Sequence, residues 1–164
     1  MCKFINTEEL FLAGGCLWGV QEFIRYLPGV QLTEAGRANG SSHTRLGAYD
    51  GYAECVRTVF DPAQVSVEQL IEFLFEIICP YSINQQGEDV GLKYRSGFYS
   101  RSAAHLQRAK DFIKLRPDAS RIAVEVLPLK NYLKSAEEHQ DRLTRHPDDY
   151  SHISLQLLHK YRKV

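Results

Sequence analysis

The sequence has no Cys-x-x-Cys pair and no cysteine beyond position 79. Its four cysteines, Cys2, Cys16, Cys55 and Cys79, are too few and too scattered for a disulfide scaffold. No histidine spacing completes a zinc site with them, so free thiols are expected, with no metal and no cofactor. Charge of one sign is missing too: 20 basic residues face 20 acidic ones, which removes any electrostatic argument for nucleic acid or an anionic membrane. No apolar run approaches the roughly 18 residues of a membrane span. The first residues lack the basic-then-apolar order of a signal peptide, and a cytoplasmic protein is the expectation. Repeats, low-complexity tracts and long linkers are also absent. The 164 residues, 44% hydrophobic and 24% charged, therefore predict one globular domain over 1–164.

Patterned segments fill that length. "ELFLAG" (9–14) reads as a short buried strand, and Val20, Phe23, Ile24 and Leu27 then mark one helix face that Pro28-Gly29 stops. A second strand, "VQLTEAGRANG", runs into a glycine-rich loop from Gly36 to Gly51, and "YAECVRTVF" (52–60) is a third. Ser66 with Gln69 forms a capping box for a helix whose stripe is Val67, Leu70, Ile71, Leu74, Phe75 and Ile78. The segment 81–93 is turn-like. "YRSGFYS" predicts a strand, 102–115 a helix, "IAVEVL" (122–127) a strand and "SAEEHQDRLTRH" a short helix. The order β-α-β-β-α-β predicts an α+β fold, a two-layer α/β sandwich with a ferredoxin-like core and C-terminal additions. Such a fold does not define a function.

Three stretches carry chemistry. Cys16 in "GGCLWGVQ" sits where a strand turns into a helix, and the N–H groups of a helix start favour a thiolate. The alternative is a packed cysteine beside a core tryptophan. Strand alternation puts Glu54 on one face with Tyr52, Val56 and Phe60, and Cys55 on the other with Ala53 and Val59. On a mostly apolar face a carboxyl has its pKa raised and can act as an acid near neutral pH; on an edge strand it would simply reach solvent. The loop "NQQGEDVGLKYRS" (84–96) offers Asp89 and Tyr94 to a small polar ligand, or uses them as a turn residue and a rim aromatic.

Together these stretches resemble the peptide methionine sulfoxide reductase A family, from "FLAGGCLWGVQEFIRYLPGV" through "GRANG", "GYAECVRTVFDP" and "NQQGEDVGLKYRSGFYS", and more weakly through "SAEEHQDRL". The resemblance implies thiol-dependent reduction of methionine S-sulfoxide, free or in oxidised proteins. Cys16 would attack the sulfoxide sulfur, Glu54 would protonate the departing oxygen, and a sulfenic acid would remain on Cys16. Trp18 and Leu17 would wall the substrate methyl group, and Asp89 and Tyr94 would line the same site. A thioredoxin-like thiol would be the external reductant. An elevated-pKa carboxyl beside a depressed-pKa thiol is what this division of labour asks for.

The chain also departs from that family's pattern. Leu17 stands where an aromatic is usual, and Tyr52 where a histidine precedes Ala-Glu. The glycine-rich loop is short, leaving Tyr49 to supply a site tyrosine from another register. With no cysteine after Cys79, the sulfenic acid must be resolved by Cys79, Cys2 or Cys55, or by an external thiol. These departures also admit a second reading, a redox-sensing or binding module derived from the family.

Overall fold

The computed structural model describes residues 6–163. Its centre is one six-stranded sheet in the order β7-β6-β1-β3-β2-β8. The strands are β1 (Glu8–Ala13), β2 (Val30–Ala38), β3 (Ala53–Phe60), β6 (Gly97–Ser100), β7 (Glu125–Pro128) and β8 (Tyr132–Lys134). A separate hairpin pairs β4 (Gln85–Gln86) with β5 (Asp89–Val90). Strand β1 runs antiparallel to both β3 and β6, and β3 lies antiparallel between β1 and β2. The β6–β7 pair is parallel, so the sheet is mixed.

Strand alternation divides the core in two. Leu10, Leu12, Val56, Phe60 and Phe98 face three helices, α1 (Leu17–Ile24), α2 (Val67–Ile77) and α3 (Ala103–Lys114). Val20 and Phe23 of α1, Leu70, Ile71 and Leu74 of α2, and Leu106 of α3 complete that layer. Each such side chain contributes about 1.5–3 kcal/mol through removal from water. The opposite sheet face buries Phe11, Ala13, Ala38, Ala53, Cys55 and Tyr99 under Leu129 and Tyr132. Glu54 therefore belongs to the helix side and Cys55 to the far side, as the strand parity predicts.

Local signals set several boundaries. The Ser66 hydroxyl accepts the Gln69 N–H at 3.1 Å and Gln69 Oε1 accepts the Ser66 N–H at 2.9 Å, so the capping box starts α2. Ser102 caps α3 by accepting the His105 N–H. Other expectations shift. Helix α1 ends at Ile24, and buried Leu27 sits in the turn that follows. Gly36 is still within β2, so the loop begins at Asn39. Within "YRSGFYS" only Gly97–Ser100 is strand, because Leu92–Tyr94 close a 3₁₀ turn. The "IAVEVL" strand starts at Glu125 and reaches Pro128. The unanticipated β8 adds an edge to β2, pairing Gly36 with Lys134.

The C-terminal segment docks on the sheet edge through the Gln140 side chain. Gln140, nearly buried, gives Oε1 to the Ala35 N–H at 2.8 Å and Nε2 to the carbonyls of Ala35 and Ser135, both at 2.9 Å. Its amide thus replaces a strand neighbour for β2. Two short helices follow, α4 (Arg142–Arg145) and α5 (Leu155–Leu158), whose Leu143 and Leu158 join the helix-side core. Among the described residues no helix is long and apolar enough to cross a membrane.

Gly36 is the tightest contact between β2 and the β8 side. A Cβ there would lie 2.2 Å from the Tyr132 ring, whose hydroxyl is held by Glu34 at 2.7 Å and whose ring packs on Phe11. Gly36→Ala is therefore expected to cost about 1–3 kcal/mol by overpacking, read as a lower urea midpoint at unchanged slope. Unaltered stability would mean that Tyr132 swings aside freely.

Candidate active site

The end of β1 and the start of α1 create the site. Gly15 has φ 91°, and a Cβ on it would fall 2.8 Å from both the Gln86 Cβ and the His152 ring. The glycines around Cys16 thus admit close approach, but it is the chain's own side chains that approach. Cys16 is the residue before the first turn of α1, half-exposed and without a side-chain capping bond. The next N–H, that of Leu17, donates to Glu54 Oε2 at 3.0 Å. That bond fastens β3 to the helix start and holds a carboxyl beside the thiol.

Burial dominates the charges here. It pushes the Glu54 carboxyl above its ordinary 4.5, against the Leu17 N–H, Lys93 and Arg37, which favour the anion; the Asp89 charge adds to the rise. Cys16 departs from the sequence expectation. Its thiol is pushed up to about 12, by burial first and then by the charges of Glu54 and Asp89, with only partial relief from the Trp18 N–H and Lys93. The helix start supplies one backbone donor, which is less than the hydration the sulfur loses. Cys16 therefore rests as a thiol, and the Glu54 carboxyl keeps its proton to higher pH than a free carboxyl does.

The other expected residues come to this corner unevenly. Leu17 is buried and lines a cavity of about 150 Å³ together with Glu54, Arg37, Tyr52, Lys93 and His139. Trp18 donates Nε1–H to His139 Nδ1 at 3.1 Å, and the Arg142 guanidinium lies 4.9 Å from its ring. Tyr94 ends the 3₁₀ turn close enough to feel the charges of Glu54 and Cys16, which with burial raise its phenol. Asp89, on β5, lies 3.3 Å from His152 Nδ1. Tyr49 stands apart. Its hydroxyl donates to the Tyr52 carbonyl, and it lines an adjoining cavity of about 380 Å³ rather than the one beside Glu54.

Among the described residues two further thiols occur, Cys55 and Cys79. Cys55 is buried on the opposite sheet face, where burial pushes its thiol far up. Cys79 is exposed, and the Gln86 side chain stands between its backbone and Gly15, bonding the Cys79 N–H at 2.8 Å and carbonyl at 2.9 Å. Cys2 lies outside the described residues. No disulfide occurs among those described. Nor, among them, is any group of His, Cys, Asp and Glu arranged to hold a metal ion.

Sequence reading passed over His152, His139, Arg37 and Lys93. His152 comes from the unpatterned tail, yet its side chain is only 5% exposed and its ring nitrogens make no hydrogen bond among the described residues. Burial lowers its pKa, against the pull of Asp89. His139 lay within the quoted "SAEEHQDRL", and Arg37 and Lys93 within "GRANG" and "GLKYRS". What was missing was any local sign that three distant segments meet.

Glu54 makes the fold pH-sensitive with a definite sign. A carboxyl raised in the folded state disfavours folding once pH exceeds its unfolded value, and the penalty grows until the folded pKa is passed. Glu54→Gln keeps an acceptor for the Leu17 N–H and removes the titration. Between pH 5 and pH 8 the parent's Tm should therefore fall more, or rise less, than that of Glu54→Gln. Parallel Tm profiles would contradict the raised carboxyl.

Known proteins share this fold. The reduced form of Mxr1 from Saccharomyces cerevisiae superposes with a TM-score of 0.82 at 26% identity, covering 94% of this chain and 95% of that one. Methionine sulfoxide reductase A of Corynebacterium diphtheriae gives 0.81 at 29% identity, covering 88% of this chain and 77% of that one. Mxr1 in complex with Trx2 shares the fold at 22% identity and a TM-score of 0.60, covering 87% of this chain and 88% of that one. The family model for peptide methionine sulfoxide reductase matches residues 8–163, and the chain belongs to that family.

Proposed function

We propose that this protein reduces methionine S-sulfoxide to methionine, with Cys16 as nucleophile and Glu54 as general acid. The observation that carries the reading is the Leu17–Glu54 hydrogen bond, which keeps a carboxyl of raised pKa beside the partly buried Cys16 thiol at a helix start. Sulfoxide oxygen leaves only when protonated, so an acid within reach of the nucleophile is the central requirement.

The proton inventory balances. Cys16 enters as a thiol and Glu54 as a carboxylic acid. Glu54 protonates the sulfoxide oxygen as the Cys16 sulfur attacks, and it recovers a proton from the thiol. The attack forms a bond between the two sulfurs as the protonated oxygen departs with its S–O bond broken. Water then adds to the Cys16 sulfur and the S–S bond breaks, so Cys16 is oxidised to the sulfenic acid while the sulfoxide sulfur is reduced to the thioether. Ionised Glu54 raises the thiol, so neutral Glu54 is the form that permits thiolate character. Leu17 and Trp18 offer apolar surface to the methyl group, and Asp89 and Tyr94 offer polar atoms at the rim.

Regeneration is assigned to an external thiol. One thiol condenses with the sulfenic acid, releasing water and leaving a mixed disulfide, and a second thiol releases Cys16. The burial of Cys55 on the opposite sheet face and the absence of any disulfide among the described residues support this reading. A thioredoxin-like protein is the reductant class to test first, since the yeast relative has been solved in complex with Trx2.

With dithiothreitol, methionine S-sulfoxide should yield methionine, and Cys16→Ser should abolish the product. Glu54→Gln should lower kcat by about 10²–10⁴, with the alkaline fall of the parent's pH–rate profile lost in the residual rate. A folded but inactive parent would instead indicate a binding or sensing module, and a full rate for Glu54→Gln would remove its role as acid. Trapping after a single turnover should give equal sulfenic acid in the parent, Cys2→Ser and Cys79→Ser. A longer-lived sulfenic acid in either variant would identify that cysteine as the resolving thiol.

A further inference from the structure

The cavity beside Glu54 shares Arg37, Tyr52 and Lys93 as walls with the larger cavity of about 380 Å³, which Arg45 also lines. Three cations thus meet in a chain whose formal net charge is zero. Among the described residues none of the three forms an ion pair, whereas Arg57, Arg95 and Arg116 each grip a carboxylate.

Arg37 shows how this arises. It is the cross-strand partner of Glu54, yet its guanidinium lies 4.5 Å from the Tyr52 ring centre instead of on the carboxylate. Lys93 likewise lies 5.0 Å from the Tyr94 ring centre. Stacking on the Tyr52 face orients the Arg37 guanidinium while leaving its N–H donors free for a ligand, and Lys93 shares its ammonium with the Tyr94 hydroxyl. Of the acidic groups nearby, Asp50 accepts the Ser42 N–H at 2.7 Å, and Asp89 lies beside His152, 3.3 Å from its Nδ1, rather than beside either cation. His139, on the same wall, is held toward neutrality by burial.

We propose that Arg37 and Lys93, with Arg45 at the outer rim, form an anion subsite for a carboxylate carried next to the sulfoxide. This rests on the reductase reading and specifies its substrate class. The carboxylate is either the α-carboxylate of free methionine sulfoxide or that of an acidic residue beside an oxidised methionine in a peptide. In the free amino acid, sulfur and carboxyl carbon are four bonds apart, a span of about 5 Å. Cross-strand neighbours such as Glu54 and Arg37 are separated by a similar distance, about 4.5–5.5 Å between Cβ atoms. An anion bound there also screens the two cations that pull Glu54 toward its ionised form, so substrate arrival helps the acid keep its proton.

The test separates the subsite from the reductase reading. In Cys16→Ser, binding is read through the fluorescence of Trp18, the single tryptophan. Methionine S-sulfoxide should bind about tenfold more tightly than its uncharged N-acetyl methylamide, the gain expected of one charge-assisted hydrogen bond. That ratio should shrink with salt in the unaltered subsite, approach one in Arg37→Gln and Lys93→Gln, and partly survive in Arg37→Lys. In a second arm, kcat/KM is compared for peptides with Asp or Asn beside the sulfoxide. Discrimination only in the first arm assigns the substrate's own α-carboxylate, and discrimination in the second assigns acidic peptides. Equal values in both arms, or a charge preference insensitive to salt, overturn the subsite. Charge-selective binding without reduction of any substrate leaves the subsite standing and removes the reductase reading.

Discussion

The site rests on the hydrogen bond from the Leu17 N–H to Glu54. A carboxyl buried on the helix side of β3 needs a donor, and the first free N–H groups of α1 need an acceptor. Their meeting requires β1 to lie beside β3, so that the chain leaving β1 turns over the Glu54 end of its neighbour. Gly15 makes that turn possible by its positive φ and its missing Cβ. Thiol, carboxyl and helix start are therefore consequences of one strand pairing.

That bond also explains why the site is not a store of thiolate. The helix start and Lys93 stabilise negative charge, but sulfur and carboxyl share one small desolvated corner, where one charge opposes the other. A protonated thiol beside a carboxyl of raised pKa suits a reaction that needs a nucleophile and an acid in the same step. The chemistry then follows from proton exchange on substrate arrival rather than from a standing anion.

The C-terminal segment supplies walls. Gln140 docks it on β2, and the adjoining His139 then meets Trp18. Farther on, His152 fills the space beside Gly15 and faces Asp89. The fold in this way brings residues from both ends of the chain to one cysteine.

Much of this was legible from short-range pattern. The Ser66–Gln69 box, the Ser102 helix and the parity of Glu54 against Cys55 depend on neighbours within a few residues. The motif around Cys16 likewise pointed to its residue types and spacing. The opposite outcome at the Cys16 thiol, the displacement of Tyr49 to the adjoining cavity, and the arrival of β8 and His152 were not legible in that way. The sequence by itself determined which side chains of β3 lie on each face and where the capped helices α2 and α3 begin, because those depend on local periodicity and capping. Only the tertiary structure decided how much water each charge keeps and which unpaired cations share its cavity, because desolvation and Coulomb interactions are set by distances between segments remote in the chain.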